Sequence, residues 1–336
     1  MTLHALVVGG TGLVSSAIVD QLLARGARVS VFNRGLRSSS PREGVRLFRG
    51  DRANASELVR TFEDERFDVV FDMIGYAPED AEASVRAFGG RCEQFVFCSS
   101  AVVYGAKTPP SVLIDEQSPL EPASHWGRAK VACEETLWRA ADKGAFALTI
   151  ARLGHTYGPG DAMNDQQDND GLAWDRVARG LPVFCTGDGL GLWQSTHRDD
   201  AAKFFAGAAL ARSTYGEAFN VMRDEVLTWR DYYREVARAL DTRAKLLFVP
   251  ASWLVAQDPE RFSFLEEVSR FHAAYSTAKA KAAVPEFRAT IGLEAGARET
   301  FADLRRRGAW HDSTSDTAYE AMVQRALALG FPVEEA

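Results

Sequence analysis

Cysteine is scarce in this 336-residue chain: there are four, and Cys92, Cys98, Cys133 and Cys185 lack the paired spacing of a metal site or redox motif. A disulfide framework is therefore excluded as the support of the fold, and buried thiols in a reducing cytoplasm are expected. No run of about 18 apolar residues occurs, so no membrane span and no membrane partner are expected. Basic stripes with interleaved aromatics are missing, and the net charge of -7 is spread along the chain instead of forming a tail. Nucleic acid is a poor partner for such a surface. Met1-Thr2-Leu3-His4-Ala5-Leu6-Val7-Val8 carries neither a basic leader nor a small-residue cleavage site, so no processed segment is expected. No His, Cys or acidic cluster has ligand spacing, and no metal is expected.

What is present is apolar rhythm, with 46% hydrophobic residues, enough for a sizeable core. Ala5–Val8, Val29–Phe32, Val45–Phe48, Val69–Ile74, Phe95–Cys98 and Phe146–Ala151 read as buried strands, separated mostly by amphipathic stretches. That alternation predicts an α/β fold: a Rossmann-like doubly wound parallel sheet with a smaller substrate-covering C-terminal portion. Residues 1–160 are expected to bind a dinucleotide, with segments around 193–212 returning to them. Residues 161–310 are expected to form most of the substrate portion, and 311–336 an extension with a helix over Thr317–Leu329. Trp229–Leu240 and Leu293–Arg307 read as further helices, and Lys245–Val249 as a strand. The polar run Asn164–Asp170 has no periodicity and reads as a flexible rim beside the ligand.

Gly9-x-x-Gly12-x-x-Ser15 follows the first strand and opens the helix Leu13–Ala24. In that context the first glycine allows a tight turn, the next lets backbone approach a pyrophosphate, and helix N–H groups receive its charge. Ser15 stands at the usual third glycine and weakens the pattern without abolishing it. Gly9, Thr11, Gly12, Leu13 and Val14 are thus candidate cofactor residues. The second strand ends in Asn33-Arg34, with Arg37 nearby, where an NAD site generally carries an acid; this favours the 2′-phosphate of NADP, with NAD as the alternative. Asp51 and Arg52 end the third strand, suited to the adenine amino group or to a solvated loop pair, and Ile74 ends the fourth as a further candidate wall.

With these residues in view, the chain resembles the extended short-chain dehydrogenase/reductase family of NAD(P)-dependent sugar-nucleotide epimerases and dehydratases. Phe97-Cys98-Ser99-Ser100-Ala101-Val102-Val103-Tyr104-Gly105 is similar to the family's fifth-strand segment, and Arg152-Leu153-Gly154-His155-Thr156-Tyr157-Gly158-Pro159 to the segment leading into the substrate portion. The resemblance extends from the glycine turn to about Arg307. It implies that Ser100 binds the substrate oxygen, that Lys130 holds the nicotinamide ribose, and that the protein is a homodimer through helices near Asp80–Phe88 and Lys130–Ala141. It also implies a catalytic tyrosine four residues before the lysine, where this chain has Trp126.

An indole N–H donates but does not titrate near neutral pH, so Trp126 cannot act as acid or base. On a helix over Trp126–Trp138 it shares a face with Lys130. Replacement groups must come from elsewhere. His155 stands where the family commonly has an asparagine near a nucleotide sugar, and is a candidate base or a hydrogen-bonded contact. Tyr104 and Tyr157 are candidates against a packing role, His125 points away from Trp126 around the helix, and His197 reads as the cap of a helix. The expected function is an NAD(P)-dependent epimerase, dehydratase or reductase acting on a small sugar-like or polyhydroxylated substrate through an altered acid/base site. A non-redox lyase or isomerase on the same fold, and a dinucleotide-sensing binding protein, are the alternatives.

Overall fold

The computed structural model describes residues 2–36, 42–105, 113–167 and 171–336. Its first half alternates strand and helix as the apolar rhythm predicts: β1 (His4–Val8), α1 (Leu13–Ala24), β2 (Arg28–Asn33), β3 (Val45–Arg49), α2 (Ala55–Phe62), β4 (Phe67–Asp72), α3 (Pro78–Phe88), β5 (Cys92–Ser100), α4 (His125–Asp142) and β6 (Ala147–Leu153). The second half is more broken. It runs through β7 (His155–Tyr157), α5 (Leu172–Ala178), β8 (Pro182–Thr186), β9 (Leu192–Trp193), β10 (Ser195–His197), α6 (Arg198–Ala208), β11 (Glu217–Val221) and β12 (Leu227–Thr228). It closes with α7 (Trp229–Ala239), β13 (Lys245–Val249), α8 (Ala251–Gln257), α9 (Ala278–Ala283), α10 (Leu293–Arg306), α11 (Thr317–Ala328) and β14 (Val333–Glu335).

Seven parallel strands form the main sheet in the order β11-β6-β5-β4-β1-β2-β3. Every residue of β1 is buried, as a central strand covered on both faces must be. One face packs α1 and α6 through Ile18, Leu22, Phe204 and Phe205, and the other packs α2, α3 and α4 through Leu58, Phe62, Phe88 and Leu137. β3 departs from the reading of a buried strand: it is the sheet's edge, with Arg46 and Arg49 exposed, because nothing among the described residues pairs beyond it. The return of the later chain to this unit is also wider than expected. Beyond α6 it includes β11 as the seventh strand and Ala280, Val284 and Phe287 in the same core.

The remaining segments build a second, aromatic core around Trp174, Trp229, Tyr232 and Tyr233, with β8, β13 and β14 as a small sheet. The C-terminal segment belongs to this lobe, since Tyr319 and Val323 pack on Phe184 and Leu247 while β14 pairs with β13. All four cysteines are buried and unpaired, and burial pushes their thiols up, Cys98 to about 11 and Cys133 to about 12. Among the described residues no helix is long and apolar enough to cross a membrane. The strand order reverses between β1 and β4, and the crevice at their carboxyl ends is where such sheets take ligands.

Candidate functional site

Two concavities meet above that crevice. The first, of about 430 Å³, is lined by Gly9, Thr11, Gly12, Asn33, Arg34, Asp51, Arg52, Ile74 and Tyr76 together with Phe32, Gly35, Leu36, Gly50, Ala53 and Asp80. Its floor is the β1-to-α1 turn. Gly9 has a φ of 101°, and a Cβ there would stand 2.7 Å from Ile74 Cγ2, so both conformation and space demand glycine. Gly10 is pressed on Val31, where a Cβ would approach to 2.6 Å. Ser15 reinforces the turn instead of weakening it. Its Oγ accepts from the Gly12 N–H at 2.8 Å and donates to the Gly9 carbonyl at 3.2 Å, work that a glycine at this position could not do. The N-terminus of α1 then points its positive dipole end at the cleft. Val14 is buried in the core and can serve a ligand through backbone only, while Leu13 is half-buried and packs against that core.

This geometry fits a dinucleotide: a tight glycine cradle, a helix N-terminus for a pyrophosphate, and a wall built from the ends of β2 and β3. Asn33 Oδ1 accepts from the Gly35 N–H at 2.8 Å, which shapes the wall, and the exposed Arg34 lines it. Arg37 lies outside the described residues. Asp51 lines the cleft and caps its own turn at the Ala53 N–H. Arg52 departs from the adenine role expected of it. Only 6% exposed, its guanidinium is turned into the protein, pairing with Asp72 at 2.6 Å and bonding the Asp80 carbonyl and Ser84 Oγ. It ties β4 to α3 and reaches the cleft only as wall.

The second cavity, of about 390 Å³, lies between the sheet and the second lobe. Ser100, Ser124, Trp126, His155, Asn164 and Trp193 line it, with Phe264, Glu267 and Tyr275 on the far side. Ser100 ends β5 and caps a single 3-10 turn, its Oγ meeting the Val102 N–H at 3.4 Å. Beneath it runs a buried chain of bonds: Ser99 Oγ to Glu134 at 2.5 Å, Glu134 to Arg152 at 2.7 Å, Arg152 to Tyr104 Oη at 2.8 Å, and Tyr104 Oη to Asn220 at 2.7 Å. Tyr104 is therefore a member of this brace, outside the cavity, and burial pushes its phenol up to about 12. That placement removes it from the candidate bases.

α4 carries the remaining pieces. Ser124 caps it at the Gly127 N–H, Trp126 is 42% exposed and faces the cavity, and Lys130 is buried one turn later. Lys130 Nζ donates to the carbonyls of Gly75 and Cys98, both at 2.8 Å, and sits 5.2 Å from the rings of both Tyr76 and Trp126. Burial pushes its ammonium below the usual lysine range. Tyr76, on the loop after β4, was not among the residues the sequence pointed to. Its ring lies 5.1 Å from that of Trp126, and it lines the first cleft as Trp126 lines the second. A tyrosine after a strand end at a switch point was the only available signal.

His155 lines the cavity but is fully engaged: Nδ1 lies 2.7 Å from Ser195 Oγ, and Nε2 accepts from the Asn164 N–H at 3.3 Å. Burial pushes its pKa down to about 3. A ring held neutral with both nitrogens bonded is a wall, not a base. His197 caps α6 through the Asp199 N–H, and Tyr157 is wholly buried away from both cavities. His125 is exposed at the start of α4. The expected flexible rim is also different where described: Asp165, Gln166 and Gln167 are buried, with Gln167 Nε2 donating to the Phe184 carbonyl and Gln166 Oε1 accepting from Thr186. Residues 168–170 lie outside the described residues. No group of three or more His, Cys, Asp or Glu is placed to hold a metal among the described residues.

Comparison with known proteins agrees with this architecture. The model of the NAD dependent epimerase/dehydratase family matches residues 5–87 and 81–221. The 2'-dehydrokanamycin reductase of Streptomyces kanamyceticus is 32% identical over 270 residues, spanning 80% of this chain and 76% of the relative. Among solved structures, a putative epimerase from Burkholderia cenocepacia J2315 superposes with a TM-score of 0.73 at 21% identity, covering 90% of this chain and 98% of that one. The UDP-glucose 4-epimerase of Thermus thermophilus in complex with NAD gives 0.69 at 24% identity, covering 90% and 98%.

Proposed function

The chain belongs to the NAD dependent epimerase/dehydratase family, and on that premise we propose that it is an NADP(H)-linked oxidoreductase that reduces a carbonyl of a small polyhydroxylated, sugar-like molecule. The carrying observation is the shared wall of the two concavities, where Tyr76, Trp126 and Lys130 stand together. The reductase direction is supported by the relative named a 2'-dehydrokanamycin reductase.

When bound, reduced nicotinamide supplies a hydride to a carbonyl carbon, and the carbonyl oxygen must gain a proton for the alcohol to form. Ser100 Oγ, at the end of β5 next to the braced Ser99, hydrogen-bonds that oxygen. Tyr76 provides the titratable hydroxyl missing at position 126 and delivers the proton. The Lys130 cation beside it favours negative charge building on the phenol oxygen. Trp126 closes the wall and keeps water from the reacting carbon.

The test is a kinetic comparison of wild type, Tyr76→Phe and Trp126→Tyr with NADPH and a panel of keto sugars, alongside cofactor titration. Tyr76→Phe is expected to lose about 10²–10⁴-fold in kcat together with the basic limb of the pH profile. Trp126→Tyr is expected to retain turnover, since a second phenol then faces Lys130. Tyr76→Phe at the wild-type rate would remove the phenol from the mechanism, and failure to bind NADPH would remove the whole reading. Substrate conversion with bound cofactor never oxidised would instead establish a non-redox lyase or isomerase.

A further inference from the structure

We propose that the second cavity selects a cationic, amine-bearing sugar-like substrate, with Glu267 as its recognition carboxylate, and that it rejects nucleotide-diphosphate sugars. This rests on the oxidoreductase reading above and names the substrate class of the same site.

Charge carries the argument. No Lys or Arg is among the described residues that line the cavity, and His155 within it is held neutral. Lys130 is turned away onto two carbonyls. Among the described residues that line it, the one carboxylic side chain is Glu267, which lies on the turn of helix Leu265–Ser269 and is exposed at the wall. Its neighbour Glu266 pairs with Arg270 at 2.5 Å, whereas Glu267 forms no ion pair or hydrogen bond among the described residues. A diphosphate placed here would meet one like charge and no counter-ion. An ammonium would meet a carboxylate and aromatic faces.

The aromatic wall adds a second observation. Trp126, Trp193, Phe264 and Tyr275 line the cavity, and such rings attract cations through their faces. Trp193 is only 5% exposed, and its indole N–H has no acceptor among the described residues. A buried donor without a partner is costly, and a substrate hydroxyl or ether oxygen would satisfy it. Amines at Glu267 and oxygens at Trp193 and Ser100 together describe an aminated polyol. In the larger depression between α7 and α10 the carboxylates already have partners: Glu225, Glu235 and Glu294 pair with Arg223, Arg238 and Arg298, and Glu299 lies 3.5 Å from His197.

The experiment is calorimetric titration of the NADPH-loaded protein with kanamycin, with its fully N-acetylated form, and with UDP-glucose. NADPH affinity is measured separately, so failure of the cofactor reading is seen apart from failure of substrate choice. Kanamycin should bind about tenfold or more tightly than its N-acetylated form, the amount one charge-assisted contact supplies. Glu267→Gln should abolish most of that difference while Glu267→Asp retains part of it. Binding of kanamycin should also weaken as salt rises. Equal binding of the two forms, an unchanged preference in Glu267→Gln, or tighter binding of UDP-glucose would each overturn the proposal.

Discussion

At the scale of residues, the proposed preference for NADPH turns on Arg34. It is exposed, lines the cleft, and has no ion-pair partner among the described residues, while Asn33 beside it offers an amide where a carboxylate would repel a phosphate. A desolvated arginine contact to a 2′-phosphate contributes on the order of 1.5–3 kcal/mol, or about ten- to hundredfold in affinity. NADPH should therefore bind more tightly than NADH, and Arg34→Ala should erase the difference with little effect on NADH. Fluorescence titration of both cofactors checks this, and equal affinities in wild type would refute it. Ser15 teaches a related lesson at the same turn. A hydroxyl in the glycine position is tolerated because it closes two bonds inside the turn, so a pattern match alone undervalued it.

At the scale of elements, the segment 164–167 is scaffold. The Gln166 N–H faces Tyr233 Oη at 3.4 Å, the Gln167 N–H bonds Asp165 Oδ1 at 2.5 Å, and Ser269 Oγ donates to the Gln166 carbonyl. Seven polar residues without periodicity look mobile when only solvent is considered. Here a second lobe supplies partners from α7, β8 and the helix before Arg270, and polar side chains with partners can be buried. Hydrogen exchange should show the Gln166 and Gln167 amides protected in the free protein and unchanged on adding ligand. Rapid exchange without ligand would show that this packing is not maintained.

Over the whole molecule, acid sensitivity follows from groups that folding keeps unprotonated. His155 is held at about 3 against an ordinary 6.5, so between those values the unfolded chain binds more protons than the folded one. Its contribution is complete above about pH 6.5 and is lost as pH falls toward 3. Burial likewise lowers His197. Asp175 and Asp316, despite burial that raises them, are held below the carboxylate range by hydrogen bonds from Ser313 and from Arg261, and add their loss at still lower pH. The urea midpoint should be flat from pH 7 to 8 and fall from about 6.5 downward, with a shallower fall in His155→Gln. A midpoint constant from pH 7 to 4.5 would contradict this account.

The sequence by itself determined the dinucleotide-binding half, because strands buried on both faces must be apolar throughout and a glycine turn at φ 101° admits no other residue. It also determined that position 126 cannot titrate, since that is a property of indole. Tertiary structure decided what stands beside that indole. Tyr76 and Trp126 are far apart in the chain and meet only because β4 and α4 end at the same crevice. It turned Arg52 inward to Asp72, placed Tyr104 in the Glu134–Arg152 brace, and neutralised His155 between Ser195 and Asn164. Each of those side chains carries the same chemistry in any chain. What differs is its partners, and partners come from residues that only folding brings within hydrogen-bond reach.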